Sequence, residues 1–196
     1  MCDGRLFHNQ TRLEFPTRYS PSGSAIPVVM IREYRDRTAV ITGAASGLGR
    51  ALARGLAIRK CNVALIDIDS SGLGKVKEEL AQLGTVVTGH CVDIGSEQAL
   101  QRVAAEIGSA HGTVHLVINN AAVSASASFA NTGAAEFERI IRVNFLGVVY
   151  GCRAFLPFLQ KQAEGQILNV ASCFAWLGYP GKTAYASSKE IGRAHV

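Results

Sequence analysis

From Thr38 onward, short β-branched runs alternate with longer segments in which apolar residues recur at helical spacing. The runs are TAVIT (38–42), NVALID (62–67), TVVTGHC (85–91), VHLVIN (114–119) and QILNVAS (166–172). Each is mostly apolar rather than strictly alternating, which predicts strands covered on both faces. Between them lie LGRALARGLAIRK, SGLGKVKEELAQL, SEQALQRVAAEIGSA and the long AAEFERIIRVNFLGVVYGCRAFLPFLQKQ, all of helical period. Five strands alternating with four complete crossover helices predict an α/β fold, a doubly wound parallel sheet with helices on both faces. A loop of small residues, AAVSASASFANTG, follows the fourth strand, and no internal repeat is present.

Composition narrows the class further. At 196 residues, with 48% hydrophobic and 18% charged residues, the chain can bury one sizeable core. The net charge of +5 comes from scattered Lys and Arg rather than a basic run, which argues against nucleic-acid binding. Five cysteines, Cys2, Cys61, Cys91, Cys152 and Cys173, have no metal-ligand spacing. They read as buried small side chains in a reducing compartment, with Cys173, beside a candidate catalytic serine, as the exception to watch. No apolar run reaches the roughly 20 residues that span a bilayer, so a soluble, cytoplasmic protein with no membrane partner is expected.

Residues 1–29 have no sustained period and contain three prolines and a Ser/Gly cluster, which predicts an extension outside the fold. Arg5, Arg12 and Arg18 would suit a targeting peptide, but Asp3 and Glu14 would not. The composition favours the alternative that Met30 is the natural start. The expected dinucleotide-binding domain therefore occupies residues 30–189.

TGAASGLG (42–49) places Gly43, Gly47 and Gly49 between a buried strand and a helix. Glycines there allow a tight turn and let the backbone approach a pyrophosphate, while free amides at the helix N-terminus face the anion. Asp67 closes the second strand, 24 residues after Gly43, where a carboxylate can accept from both hydroxyls of an adenosine ribose. A carboxylate repels a 2′-phosphate, and the turn offers Ser46 rather than a basic residue, so NAD is preferred over NADP.

With VDI (92–94), NNAA (119–122), Asn144 in RVNFLG, Ser172 in LNVAS, and Tyr185 with Lys189 in YASSK, the chain resembles the short-chain dehydrogenase/reductase family from about Thr38 to Lys189. Asn144 stands forty-one residues and Ser172 thirteen residues before Tyr185, as in that family. Taken singly, Ser172 could end a strand, Asn144 could kink a helix, and Tyr185 could be an amphipathic residue at a helix start. Their joint spacing outweighs those readings. The one departure is Ala122, where the family more often has glycine.

The resemblance implies a Rossmann-type fold and reversible hydride transfer between NAD and a secondary alcohol or ketone. It implies Tyr185 as general acid/base, Ser172 as hydrogen-bond partner of the substrate oxygen, and Lys189 as the group that activates the phenol and holds the nicotinamide ribose. Asn144 would anchor a water chain for the proton. The implied cofactor contacts are Gly43, Ser46, Leu48 and Gly49 at the turn, Asp67 at the ribose, Asp93 and Ile94 at the adenine, and Asn119, Tyr185 and Lys189 on the nicotinamide side. No metal is implied. Physical chemistry supports the Tyr185/Lys189 pairing, because i, i+4 residues share a helical face. A cation about 5 Å from a phenol, in an effective dielectric near 20, favours the phenolate by on the order of 3 kcal/mol. CFAWLGYPGK (173–182) carries Phe174, Trp176, Leu177 and Tyr179, which hint at an apolar substrate.

Family members continue past the lysine with two further strands and a flap, and are commonly dimers or tetramers. Here the chain ends with EIGRAHV (190–196), which can be encoded by GAG ATC GGA AGA GCA CAC GTC, a stretch containing the start of a common sequencing adapter. Translated adapter over 190–196 is therefore expected, with a catalytically silent fragment as the alternative to an active enzyme. A non-catalytic dinucleotide-binding protein of the same fold is the other alternative.

Overall fold

The computed structural model describes residues 31–191. The expectations for residues 1–29 and for 192–196 lie outside the described residues. Five strands form one parallel sheet: β1 (Thr38–Thr42), β2 (Asn62–Asp67), β3 (Val87–Cys91), β4 (Leu116–Asn119) and β5 (Gln166–Asn169). Their order across the sheet is β3-β2-β1-β4-β5. The helices are α1 (Gly47–Ile58), α2 (Ser70–Ala81), α3 (Glu97–His111), α4 (Ala134–Ile141), α5 (Gly147–Leu159) and α6 (Thr183–Ile191). Glu190 and Ile191, expected to lie beyond the natural sequence, are here the last residues of α6.

Alternation along the strands sorts side chains into two cores. Ala39 and Ile41 of β1 face one side with Val63 and Leu65 of β2, where Ala53, Leu56 and Ala57 of α1 and Leu73, Val76 and Leu80 of α2 cover them. Val40, Ala64, Ile66 and Val117 face the other, covered by Leu100, Val103, Ala104 and Ile107 of α3 and by Phe155 and Leu159 of α5. The sheet is thus wound on both faces, and the central strands need apolar residues at every position. Phe155 is fully buried; truncating such a side chain to alanine costs about 3–5 kcal/mol.

Helix ends follow local chemistry. Asp69 caps α2 by accepting from the Gly72 amide, and Ser96 caps α3 by accepting from the Ala99 amide. Ser46 at the start of α1 makes no such bond. The segment predicted as one long fourth helix is continuous from Ala134 to Leu159 but contains a π-helical stretch, Arg142–Leu146, between α4 and α5. Its 26 residues are long and apolar enough, by length and composition, to cross a membrane. Here its apolar side, including Ile140, Val148, Cys152, Phe155 and Leu159, is buried within the protein.

Two of the four described cysteines differ from expectation. Cys61 and Cys152 are buried, and burial pushes the Cys61 thiol up to about 12. Cys91, at the end of edge strand β3, and Cys173 are exposed.

Candidate active site

The chain order reverses between β1 and β4, and the carboxyl ends of these neighbours open a crevice. Asn120 knits the two strand ends together. Its amide nitrogen Nδ2 donates to the Thr42 carbonyl at 2.9 Å and to that of Gly43 at 3.2 Å. The Asn120 and Ala121 backbone amides in turn donate to Thr42 Oγ1 at 2.9 and 3.0 Å. Gly43 and Gly47 have φ of 67° and 51°, in the left-handed region that favours glycine. Gly49 is buried beneath the turn, where a Cβ would overlap the Gly43 carbonyl and the Asn120 side chain. A Cβ on Gly43 would stand 2.8 Å from the Ala121 Cα.

A cleft of about 470 Å³ lies over this turn. Of the residues singled out in the sequence, Gly43, Ser46, Leu48, Asp67, Asp93 and Ile94 line it. The start of α1 makes no side-chain cap bond, and Ser46, Gly47 and Leu48 there line the cleft, at a helix end whose first amides have no intrahelical acceptor. Asp67 is held in place from below: one carboxylate oxygen accepts from the Ala45 amide at 2.9 Å, the other from the Ile68 and Asp69 amides at 2.7 and 3.1 Å. The opposite wall includes Arg139, Arg142 and Val143, which sequence reasoning left without a role. Arg139 forms a two-pronged pair with Glu136, both contacts 2.7 Å, and the pairing holds the Glu136 carboxyl below and the Arg139 guanidinium above their ordinary values.

Asn119 is not brought to the cleft wall. Its side chain is buried, donating to Asn169 Oδ1 at 2.8 Å and to Cys152 Sγ at 3.5 Å, and its backbone carbonyl accepts from the Val170 amide. The neighbouring Asn120 does the visible work at the cleft. Nothing in NNAA distinguished the two, because the difference lies in which strand end each one meets.

The remaining chemistry converges through Asn144. In the π-helical stretch the Gly147 amide reaches the Arg142 carbonyl, five residues back, and Asn144 sits buried in its middle. Its Oδ1 accepts from the Val123 amide at 2.8 Å, while Nδ2 donates to the Val123 carbonyl at 2.8 Å and to Ser188 Oγ at 2.9 Å. Ser188, fully buried, donates to the Tyr185 carbonyl at 2.7 Å. One asparagine therefore fixes the loop after β4 and helix α6 together. The kink reading and the site reading of Asn144 are compatible, since the helix irregularity is what aims the side chain.

On α6, Lys189 is 3% exposed; its ammonium donates to the Val170 carbonyl at 2.9 Å and lies 6.0 Å from the centre of the Tyr185 ring. Burial pushes the Lys189 ammonium below its ordinary value. Phe174 stands edge-on to Tyr185 at 6.3 Å and tilts against Tyr179 at 5.2 Å. Ser172 Oγ accepts from the Phe174 amide at 3.3 Å, which leaves its proton available to a second partner. A half-buried phenol with a buried cation behind it and a serine hydroxyl in the segment after β5 can exchange a proton with a bound alcohol.

The residues of the crevice fit a dinucleotide. The turn admits no Cβ at positions 43 and 49, the start of α1 is without a side-chain cap, and a fixed carboxylate stands at the end of β2. Comparisons with known proteins point the same way. A "Putative oxidoreductase SadH" of Mycobacterium tuberculosis is 38% identical over 156 residues, covering 80% of this chain and 56% of that protein. The 2-(R)-hydroxypropyl-CoM dehydrogenase of Xanthobacter autotrophicus is 30% identical over 162 residues, covering 79% of this chain and 63% of that protein. Among solved structures, a short-chain dehydrogenase/reductase from Burkholderia phymatum in complex with NAD matches with a TM-score of 0.79 and 34% identity, over 82% of this chain and 58% of the other. A metagenomic short-chain oxidoreductase in complex with NADP matches with a TM-score of 0.77 and 29% identity, over 81% and 72%. The chain thus spans little more than half the length of the curated relative first described. The short chain dehydrogenase family model matches residues 37–194, and this chain belongs to that family of oxidoreductases.

Proposed function

We propose that this protein transfers hydride between NAD and a secondary alcohol or ketone. The observation that carries the reading is the buried Lys189 ammonium behind the Tyr185 ring, on a helix tied through Ser188 and Asn144 to the loop after β4. A bound nicotinamide supplies the hydride acceptor in oxidation and the donor in reduction. Tyr185 takes the hydroxyl proton of the alcohol as its carbinol C–H bond breaks, and returns it in the reverse direction. Ser172 donates its free hydroxyl proton to the substrate oxygen, holding it against Tyr185. Lys189 favours the phenolate by its charge and leaves Tyr185 the nearer proton carrier.

Both amide protons of Asn144 are spent on Val123 and Ser188. The Asn144 side chain therefore has no further proton to donate, and its part is to hold the loop after β4 against α6. The Asp67 carboxylate supports NAD over NADP, since a 2′-phosphate beside it would be repelled. The relative named as a hydroxypropyl-CoM dehydrogenase supports chemistry at a hydroxyl-bearing carbon.

The test uses the full-length protein with a panel of secondary alcohols and ketones, following NADH absorbance and, separately, NADH binding by fluorescence. Turnover of at least one alcohol, lost in Tyr185→Phe with binding retained, is the expected result. Unchanged turnover in Tyr185→Phe would refute the catalytic assignment. NADH binding without turnover of any substrate would favour the non-catalytic dinucleotide-binding protein.

A further inference from the structure

The small-residue loop after β4 has a pattern of its own. From Ser124 to Ser128 exposure alternates, with Ser124, Ser126 and Ser128 exposed and Ala125 and Ala127 half-buried, so the serines share one face of an extended segment. Lys182, in the turn that leads into α6, reaches across to this face. Its ammonium donates to Ser124 Oγ at 3.0 Å, Ser126 Oγ at 2.5 Å and the Ala125 carbonyl at 3.3 Å. The Ala127 amide donates to the Gly181 carbonyl at 3.2 Å, joining the two segments. Among the described residues no carboxylate pairs with Lys182.

This arrangement leaves a full positive charge compensated only by neutral oxygens. A serine that accepts from an ammonium still has its own proton to give, and the Ser126 proton has no acceptor among the described residues. The three ammonium protons are shared among Ser124, Ser126 and Ala125, and the Ser124 hydroxyl donates to the Ala125 carbonyl at 3.4 Å, so the Ser126 hydroxyl, backed by the Lys182 charge, is the donor turned toward an anion. Its position links it to the site. Lys182 is three residues before Tyr185, and the serine segment continues directly from Asn120–Val123, which line the cofactor cleft. Trp176, Leu177 and Tyr179, all more than half exposed, stand between Ser172 and Lys182 along the chain.

We infer that Lys182, with Ser124 and Ser126, forms a recognition point for an anionic group on the substrate. The substrate class is then a secondary alcohol or ketone with an apolar body and a carboxylate, or an equivalent acid such as a sulfonate or phosphate. This specifies the substrate of the hydride-transfer reading and rests on it for its meaning, but anion binding is measurable without turnover.

Straight-chain carboxylates of graded length and their matched primary amides are titrated by calorimetry into the full-length protein, with and without NADH. At least one carboxylate is expected to bind about tenfold tighter than its amide, as a charge-assisted contact provides. Added salt should erode that advantage, Lys182→Met should abolish it, Ser126→Ala should reduce it, and Lys182→Arg should keep it. Equal binding of every carboxylate and its amide would overturn the inference. So would an equal loss of both in Lys182→Met, which would make the lysine a loop clamp alone. Failure of the unaltered protein to bind NADH would count against the cofactor reading, while the titration without NADH still decides the anion site.

Discussion

Replacing Lys189 by methionine isolates the charge from the packing. The ammonium lies 6.0 Å from the centre of the Tyr185 ring. At that separation, in an effective dielectric of about 20, a unit charge favours a negative ring by about 3 kcal/mol. Removing it should lower kcat near pH 7 roughly a hundredfold. The fold should not suffer in parallel. Burial pushes the Lys189 ammonium below the ordinary lysine value of 10.5, so the folded protein binds this proton less readily than the unfolded chain. Stability from this group therefore rises with pH between the folded value and 10.5, and below that window the charge is held at a cost. Methionine of similar length relieves that cost while losing the bond to the Val170 carbonyl. Steady-state kinetics from pH 6 to about 10, with thermal unfolding of the same samples, separates the two effects. A variant whose kcat at pH 7 stays within about threefold of the unaltered protein, with its melting temperature unchanged, would refute the electrostatic role assigned to Lys189.

Ser188→Ala should leave one Asn144 amide proton without its partner inside the protein, costing about 1–3 kcal/mol in unfolding experiments, with Ser188→Thr closer to neutral if its methyl is accommodated. Gly49→Ala forces a Cβ against the Gly43 carbonyl, so NADH affinity measured by fluorescence should collapse, with a stability cost of about 1–3 kcal/mol. His115 is held below its ordinary value of 6.5 by burial and by Arg37, against an opposing pull from Glu164, and its Nδ1 accepts from the Thr38 amide at 3.2 Å. The unfolded chain takes up this proton first, so stability should fall as the pH drops through 6.5 toward the folded value. His111, lowered by burial and by His90, adds to the same slope. A melting temperature that does not change between pH 7.5 and about 5 would contradict both assignments.

Strands β1 and β2 were legible in the sequence to the residue, because each has an apolar interior, Ala39–Ile41 and Val63–Ile66, closed by a polar residue at both ends. The other three strands are shorter than the sequence pattern suggests, β4 beginning at Leu116 rather than Val114. Thr85 and Val86 precede β3 without joining it, although the Val63 amide still reaches the Val86 carbonyl. Val170 to Ser172 follow β5 as an irregular segment whose Val170 carbonyl serves Lys189 instead of a strand. Apolar runs cannot reveal such endings, since the competing partner comes from a segment far along the chain. The same limit hid Asn120, whose bonds to Thr42 and Gly43 span some seventy-eight residues. Spacing did place Tyr185 and Lys189 one above the other, because one helical turn is a local geometry. It could not show that Asn119 turns inward while Asn120 locks the glycine turn.

The π-helical stretch sets a rotational phase. One extra residue in the turn shifts everything before it by about 100° relative to a regular helix. That offset lets a single continuous rod present Arg139, Arg142 and Val143 to the cleft and Val148, Cys152 and Phe155 to the core. Deleting one residue between Arg142 and Leu146 would restore regular hydrogen bonding and yet unmake the protein's division of labour. Length is thus constrained in this segment alongside the identity of Asn144, and designed variants should exchange the other side chains more readily than they change its count.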